Sequence, residues 1–342
     1  MRTKAILYVL TALITTVAVA LLLVTQQSTE PRTPKPMNLT TQDNKTILIS
    51  KVKIHEERTK ERRQVEEIAK KRPIACYYLM NIDLKKLKGR TFEVMIIEFE
   101  EGLGESGVEY LKHHCRLLLA YINFGYAEDW RDYWSKIRNA TWIHEPTEYE
   151  GEYFIEYWRP EWHNIVIEKA VRAHELGFDG VLLDNVDACV VLKGRNQSWI
   201  QGLNLTQLMI DSIHSISSRL RKLCGRSFKI FVNIGSAVKL LGNEKFLNAI
   251  DGVLREEVWY TTSNNRTVTV PPEETEYVLK YLIHARNRGK VVIVADFVDS
   301  IERAREFMDR CWRLGFIPIP QPVWANDYSE PPPREWCDLD PS

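Results

Sequence analysis

From residue 73 onward the sequence repeats one unit: an amphipathic helix, a glycine, and a short run rich in β-branched residues. For example, "NIVIEKAVRAHELG" leads into "FDGVLLD", and "PPEETEYVLKYLIHARNRG" leads into "KVVIVADF". Gly177, Gly225, Gly289 and Gly315 stand where a residue in the left-handed conformation ends a helix. Strands that alternate with helices of this length predict a parallel sheet.

The number of strands decides between two parallel-sheet architectures. About 260 residues follow the N-terminal segments, which suits one large α/β domain. Eight segments have the composition of strands, and "FIPIP" near residue 318 is a further candidate. The eight cover residues 74–79, 92–99, 117–123, 153–157, 178–184, 229–234, 252–256 and 291–297. Eight strands in this length favour a (β/α)8 TIM barrel over residues 73–330, rather than an open doubly wound sheet.

Polar residues follow the candidate strands at one end. In a (β/α)8 barrel the catalytic groups lie at the C-terminal ends of the strands. A single acid after a strand is typically a turn residue, but six strands with polar ends indicate a functional rim. An acidic, amide-rich cup is what sugar recognition with two-carboxylate catalysis requires. The rim residues are Glu98 and Glu100, Tyr121 and Asn123, Asp184 and Asn185, Asn233, Glu256 and Glu257, and Asp296.

The stretch "GFDGVLLDNVDAC" (177–189) contains three aspartates with different expected roles. Asp179 lies at the start of a strand, and we interpret it as a turn carboxylate that bonds backbone amides. Asp184 lies at the C-terminal end of that strand, and we expect it to be catalytic. Asp187 lies in the next loop, where it either contacts substrate or supports a neighbour.

The segment "GVLREE" offers two adjacent glutamates as the second catalytic group. Side chains alternate along a strand, so Leu254 and Glu256 share one side while Glu257 lies on the other. If Leu254 faces the barrel interior, Glu256 faces it too. We therefore favour Glu256 as the catalytic residue and place Glu257 among the substrate-binding residues.

Aromatic residues are concentrated in one region of the chain. Five of the ten tryptophans lie between Trp130 and Trp162, together with several tyrosines. Trp158 and Trp162 are four residues apart and could pack together at a helix start. Aromatic faces beside carboxylates form a platform for the apolar faces of sugar rings. We therefore interpret this region, including Trp158, as part of the substrate site.

Other common functional motifs are weak or missing in the sequence. "GLGESG" (102–107) matches a dinucleotide-binding pattern, but glutamates surround it and no acid follows at the spacing of a ribose partner. No H-E-x-x-H, C-x-x-C or G-x-S-x-G motif occurs, so we expect no metal and no cofactor. The formal net charge of zero argues against nucleic acid as a partner.

The chain begins with an apolar segment that predicts contact with a membrane. Arg2 and Lys4 precede an uncharged run over residues 5–24, about the length that spans a bilayer. Residues 1–25 are therefore a signal anchor or a cleaved signal peptide, and both place the remainder outside the cell. We expect residues 26–72 to form a polar stalk with a charged helix, and residues 331–342 a proline-rich tail. Six cysteines leave disulfides and free thiols both open.

Several longer segments resemble a known family. They are "AYINFGYAEDWRDYW", "GEYFIEYWRPEW", "GFDGVLLDNVDAC", "VNIG" and "DGVLREEVWY", spread over most of residues 75–324. The combination resembles the glycoside hydrolase family of endo-α-1,4-polygalactosaminidases (family 114) and its relatives, formerly labelled cysteinyl-tRNA-synthetase-related. The resemblance implies a (β/α)8 barrel that hydrolyses a galactosamine-containing polysaccharide, although Glu257 departs from the family pattern. It also implies catalytic roles for Asp184 and Glu256 and a site lined by Glu98, Tyr121, Glu128, Asn185 and Asn233.

Together these features predict a membrane-anchored glycosidase on the cell exterior. We expect Glu256 to protonate the leaving oxygen, and Asp184 to attack the anomeric carbon or to activate water. Carboxyl groups about 5 Å apart imply retention of the anomeric configuration, and a separation of roughly 6.5–9.5 Å implies inversion. The alternative is a surface glycan-binding or assembly protein that holds a polymer without cutting it.

Overall fold

Eight parallel strands organise the fold. The computed structural model describes residues 65–68, 70–100, 102–195 and 197–337, together with helical positions 53, 56, 59, 60 and 63. The strands are β1 (Ala75–Tyr78), β2 (Phe92–Ile97), β3 (Cys115–Asn123), β7 (Gly180–Asp184), β8 (Lys229–Asn233), β9 (Gly252–Glu256), β12 (Val291–Val298) and β13 (Ile317–Pro322). They pair in the order β1-β2-β3-β7-β8-β9-β12-β13.

Helices and two small antiparallel sheets fill the connections. The helices are α1 (Gly104–Lys112), α2 (Trp134–Ile137), α3 (Pro160–Glu175), α4 (Ala188–Lys193), α5 (Leu205–Leu223), α6 (Glu244–Ala249), α7 (Pro272–Asn287), α8 (Ile301–Arg313) and α9 (Arg334–Cys337). Short 3₁₀ turns cover Leu84–Leu87, Ser198–Ile200, Val238–Gly242 and Val323–Ala325. One antiparallel sheet contains β4 (Tyr126–Glu128), β5 (Ile143–Pro146) and β6 (Glu152–Ile155). The other pairs β10 (Tyr260–Ser263) with β11 (Arg266–Thr269).

The predicted helix ends are confirmed by the backbone. Gly177, Gly225, Gly289 and Gly315 have φ angles of 102°, 87°, 77° and 70°, in the left-handed region that glycine tolerates best. Each of these glycines precedes a barrel strand by a few residues. The sequence therefore predicted correctly where the chain leaves a helix and turns back into the sheet.

The barrel is nearly closed, with a seam between β1 and β13. These strands lie next to each other, but the ladder of paired strands runs from one to the other without joining them. Pro318, Pro320 and Pro322 of β13 have no N–H group to donate. The backbone hydrogen bonds from β13 to β12 must therefore come from the N–H groups of the residues between these prolines. The proline nitrogens consequently face the β1 side. Beyond the strands, Leu79 N donates to Tyr328 O at 2.9 Å and bridges the seam.

Side chains alternate along the strands and divide the core into two layers. The outer layer lies between the sheet and the helices. In the inner layer, Gly252 makes room for an aromatic ring, because a Cβ at this position would lie 2.1 Å from Phe231 Cε1. Since Leu254 belongs to the inner layer, the strand directs Glu256 to the barrel interior as well. The inner layer includes Tyr77, Leu119, Leu182, Phe231, Leu254, Ile293 and Ile319.

One predicted barrel strand is wrong and the extra candidate replaces it. Residues 153–157 were expected in the barrel, but β6 pairs with β4 and β5 in the antiparallel sheet. The eighth barrel strand is β13, which contains "IPIP" and continues to Pro322. Strand propensity measures how well a residue fits a pleated, half-buried surface. Parallel and antiparallel sheets both provide such a surface, so propensity does not show which sheet a strand joins. Prolines at alternate positions also weaken a strand assignment from sequence, although they are compatible with the edge of a sheet.

The predicted N-terminal segments lie largely outside the described residues. Residues 1–25 and most of the expected stalk belong to the undescribed part of the chain. Within the described part, no helix is both long enough and apolar enough to cross a membrane. The predicted charged helix is present at residues 65–68 and 70–71.

The C-terminal segment packs on the barrel, and the structure decides the state of five cysteines. Residues 331–337 pack on the barrel: Trp336 is 4% exposed, and Arg90 Nη2 donates to Pro332 O at 2.7 Å. The expected proline-rich tail is therefore part of the fold as far as residue 337. Five cysteines, whose pairing the sequence left open, are thiols: Cys76, Cys115, Cys189, Cys224 and Cys311.

Candidate active site

Two carboxyl groups meet at the C-terminal ends of neighbouring barrel strands. Asp184 ends β7 and Glu256 ends β9, while Asn233 ends the intervening β8 and donates from Nδ2 to Glu256 Oε1 at 2.7 Å. The Tyr121 hydroxyl of β3 donates to Asp184 Oδ2 at 2.9 Å. The Tyr328 hydroxyl donates to Glu256 Oε2 at 2.8 Å. Four neighbouring strands and one loop thus hold the carboxyl groups in one polar row.

The two carboxyl groups hold their protons with different strengths. Burial raises the pKa of Asp184 from 3.8 to about 6, against hydrogen bonding from Tyr121 and the neighbouring Asn233. Burial, followed by the negative charge of Asp184, raises the pKa of Glu256 from 4.5 to about 7, against the bonds from Tyr328 and Asn233. A carboxyl group with a pKa near 7 can supply a proton at neutral pH, and its partner ionises first.

One oxygen of Asp184 is available for chemistry. Oδ1 is buried and has no hydrogen-bond partner among the described residues, whereas Oδ2 accepts from Tyr121. An unpartnered buried oxygen is costly, so its presence requires an explanation, and a catalytic role is one. This oxygen can accept a proton from water or form a bond to a substrate carbon.

The loop after β3 fixes the backbone around Asp184. The N–H groups of Phe124 and Gly125 donate to Asp184 O at 3.1 and 3.2 Å. A Cβ at Gly125 would lie 2.1 Å from Asn185 O, so the close approach requires glycine. Asn185 has a φ of 57°, and its Nδ2 donates to Asn123 Oδ1 at 3.1 Å. Asn123 and Asn185, both predicted to bind substrate, therefore make side-chain contacts that position Asp184.

Glu152 is a third buried carboxyl group near the site, which the sequence did not reveal. It lies in β6 and is 7% exposed. Its two oxygens accept from Asn123 Nδ2 and Thr147 Oγ1, each at 2.9 Å. Burial raises the pKa of Glu152 to about 7, and the charges of Glu128 and Asp184 add to the rise. No strand-end pattern marks this residue, because only the antiparallel sheet brings it beside Asn123.

A second group of acids is held by one arginine. Arg131 donates from Nη2 to Glu98 Oε2 at 2.7 Å, from Nη1 to Glu100 Oε2 at 3.0 Å, and from Nε to Glu128 Oε2 at 2.7 Å. The four side chains are between 7% and 13% exposed. Lys169 also pairs with Glu100. The sequence placed Glu98 and Glu128 at the site, but Arg131 was missed because it follows no barrel strand.

Arg131 and its three glutamate partners line an open cavity of about 540 Å³. Tyr121 connects the two regions, because it lines the cavity and bonds Asp184. Among the residues that the structure describes, no group of three or more His, Cys, Asp or Glu side chains is arranged to hold a metal ion. The lining comprises Leu79, Met80, Glu98, Glu100, Tyr121, Glu128, Trp130, Arg131, Asp132, Arg172 and Asp327.

Asp296 corrects the prediction for the β12 strand end. It is fully buried and accepts three backbone hydrogen bonds, from Val258 N at 2.7 Å, Trp259 N at 2.8 Å and Tyr260 N at 3.0 Å. Asp296 therefore supports the loop after β9 and cannot meet a substrate. Acids at strand ends commonly accept hydrogen bonds from the amides of a turn. The sequence alone does not distinguish such an acid from one that binds substrate.

Three further residues that were predicted to bind substrate, Asp187, Glu257 and Trp158, do not line the cavity. Asp187 Oδ2 accepts from Ser236 N at 2.9 Å and Ser236 Oγ at 3.0 Å, which matches the supporting role. Glu257 has a φ of 57°, and its Oε1 accepts from Thr261 Oγ1 at 2.5 Å. Trp158 packs against Tyr157 and Trp199, with ring centroids 5.0 and 6.2 Å away. Asp179 accepts from Leu118 N at 2.9 Å, in keeping with the expected turn role.

The fold and the site together define a class of protein. A (β/α)8-like barrel that places two carboxyl groups of different pKa at its strand ends is the arrangement used for glycoside hydrolysis. The model of glycoside-hydrolase family GH114 matches residues 71–323, and the chain therefore belongs to this family. It is a glycoside hydrolase.

Relatives and solved structures match most of the chain. An uncharacterized protein of Methanocaldococcus jannaschii is 29% identical over 265 residues, which cover 71% of this chain and 73% of that protein. One of Thermotoga maritima is 26% identical over 260 residues, covering 71% and 78%. The glycoside hydrolase domain of PelA from Pseudomonas aeruginosa matches with a TM-score of 0.60 at 15% identity, covering 75% of this chain and 96% of that one. Aspergillus fumigatus Ega3 in complex with galactosamine gives 0.53 at 14% identity, covering 73% and 90%. At these identities the solved structures establish the fold.

Replacing Glu256 by Gln should stabilise the fold at alkaline pH. The native pKa of about 7 lies above the ordinary 4.5, so the folded state holds the proton more tightly and loses stability as pH rises from 4.5 to 7. Glutamine carries no such penalty. We expect the free energy of unfolding to rise by about 3 kcal/mol at pH 8 and the gain to vanish toward pH 4.5.

Urea unfolding at pH 8 and at pH 4.5 measures this difference. The matched control is Glu276→Gln, an exposed glutamate on α7, which should leave stability unchanged at both pH values. A gain for Glu256→Gln that is equal at the two pH values would contradict the proposed cause.

Proposed function

We propose that this protein cleaves internal glycosidic bonds of a galactosamine-containing polysaccharide by two-carboxylate acid–base catalysis. The observation that carries the proposal is the pairing of Asp184 and Glu256, which flank Asn233 and have pKa values raised to about 6 and 7. Neutral Glu256 protonates the leaving glycosidic oxygen. Ionised Asp184 attacks the anomeric carbon, or it removes a proton from the water that attacks.

The hydrogen bonds around the pair suit these roles. Tyr121 holds Oδ2 of Asp184 and leaves Oδ1 to react. Asn233 and Tyr328 donate to the two oxygens of Glu256, so the carboxylate that remains after proton donation is stabilised. The donors come from packed strands and a loop anchored across the seam, and need little rearrangement during the reaction.

The charge of the cavity supports an amine-bearing sugar as the substrate. Five carboxylates and two guanidinium groups line it, and Lys169 pairs with one of these carboxylates, so carboxylates exceed cations by two (5 − 3). An excess of negative charge attracts a polymer whose amines are protonated. Ega3, a structural neighbour solved in complex with galactosamine, supports the same sugar.

We further propose that the barrel works outside the cell. Support comes from the sequence, in which Arg2 and Lys4 precede the uncharged run at residues 5–24. Cell fractionation should recover the barrel in the medium, or on membranes in a form that added protease degrades while a cytoplasmic marker survives. Recovery of a protease-protected barrel inside intact cells would overturn the proposal.

Replacing Asp184 by Asn should abolish hydrolysis without unfolding the barrel. Loss of the base or nucleophile should lower kcat/KM by about a thousandfold or more, because the remaining acid cannot complete the reaction. The assay measures reducing ends released from an α-1,4-galactosamine polymer by the full chain. Asp179→Asn is the matched control, since Asp179 lies at the opposite end of the same strand and should leave kcat/KM unchanged. Full activity of Asp184→Asn would contradict the assignment.

The pH dependence of kcat/KM should be bell-shaped, with its maximum between pH 6 and 7. Activity should rise as Asp184 loses its proton near pH 6 and fall as Glu256 loses its proton near pH 7. Tyr328→Phe removes a hydrogen bond that lowers the pKa of Glu256, so the alkaline limb should move to higher pH. An unchanged or lower alkaline limb in this variant would show that Glu256 is not the titrating acid.

A further inference from the structure

Trp130 is a large apolar side chain left exposed at the mouth of the barrel. It is 59% exposed, whereas Trp142 and Trp162 from the same region are 7% and 1% exposed. Trp134 stacks on Tyr153 at 4.7 Å between ring centroids. Most of the aromatic cluster therefore builds the core, and Trp130 has no such role. Because the indole is exposed, a ligand in the adjoining cavity can reach it.

The exposed ring is held in place by its surroundings. A Cβ at Gly151 would lie 2.7 Å from Trp130 Cζ3 and 2.9 Å from Cε3, so the indole packs directly on the Gly151 backbone. Asp129 N donates to Gly151 O at 2.9 Å and ties the two loops together. On the other side, Arg131 is anchored by its three carboxylate partners. The ring is thus preorganised, and binding on it loses little conformational entropy.

The ring borders a cavity that is linked to Asp184 through Tyr121. Trp130 and Met80, which is 44% exposed, both line the cavity, and Tyr121 connects the cavity to Asp184. Carboxylates of the Arg131 group lie in the same lining. Apolar surface and hydrogen-bond acceptors are therefore available to one ligand. This combination matches a sugar ring, which has an apolar C–H face and a polar edge.

We propose that Trp130 is the platform of a second sugar-binding subsite, which holds a sugar unit of the polymer next to the unit whose glycosidic bond is cleaved. The indole face stacks on the C–H face of a pyranose ring, while the edge of that ring meets the carboxylates held by Arg131. This proposal rests on the proposed function and extends it. Trp130 should stabilise the bound substrate and the transition state equally. Because such uniform binding leaves kcat unchanged, its main effect is on KM.

Trp130→Ala should raise KM for the galactosamine polymer by roughly three- to tenfold and leave kcat within about twofold. Trp130→Phe, which keeps an aromatic face, should give an intermediate KM. Tyr277→Ala is the matched control, because Tyr277 is an exposed aromatic on α7 away from the cavity, 41% exposed. An unchanged KM for Trp130→Ala, or a fall in kcat alone, would overturn the subsite while leaving the proposed function intact.

Binding without turnover separates the subsite from the reaction. In an Asp184→Asn background, intrinsic fluorescence and calorimetry can follow the binding of soluble polysaccharides, including the α-1,4-galactosamine polymer and chitosan. If the wild-type chain cleaves none of them but Asp184→Asn binds one, binding that is roughly three- to tenfold weaker in Asp184→Asn/Trp130→Ala supports the subsite and overturns only the reaction. Binding that is unaffected by Trp130→Ala, or absent for every polysaccharide, overturns the subsite.

Discussion

The burial of two carboxyl groups in one polar row is the constraint on which the rest of this structure depends. Asp184 and Glu256 acquire their raised pKa values because burial removes water from them, and the shortage of cations beside them leaves protons as the means of neutralisation. The row depends on the closure of the barrel. β13 is too rich in proline to complete a ladder with β1, and the loop that bridges this seam is the one that carries Tyr328 to Glu256.

The barrel mouth holds its acids in two physically different ways. In the row of Asp184 and Glu256, burial raises the pKa values toward neutrality against the hydrogen bonds that lower them. In the Arg131 group, three carboxylates share one guanidinium and remain acceptors. Tyr121 stands where the two regions meet. Under the proposed function, proton transfer belongs to the first set of acids and substrate binding to the second.

The segment between β3 and α3 contributes more to the site than its sequence suggests. Its antiparallel sheet carries Glu152 to Asn123, which in turn holds the backbone that follows Asp184. The same segment supplies Arg131 and Trp130 to the cavity. No barrel strand ends at these three residues, so the rule that finds catalytic groups at strand ends could not find them. Part of this segment was also misassigned to the barrel, because strand propensity is the same for parallel and antiparallel pairing.

The sequence by itself determined the helix–glycine–strand repeat, seven of the eight barrel strands, and the strand-end positions of Asp184 and Glu256. These features follow from local rules: a left-handed glycine ends a helix, and alternation on a strand carries Glu256 to the side of Leu254. Only the tertiary structure decided which strand-end acids are accessible. Asp296 and Asp184 look alike in sequence, but the loop after β9 folds back and donates three amides to Asp296. Whether Asp296 is accessible therefore depends on a neighbouring loop. The pKa values of Asp184 and Glu256 depend on burial and on charges from distant positions in the chain. No local sequence pattern contains this information.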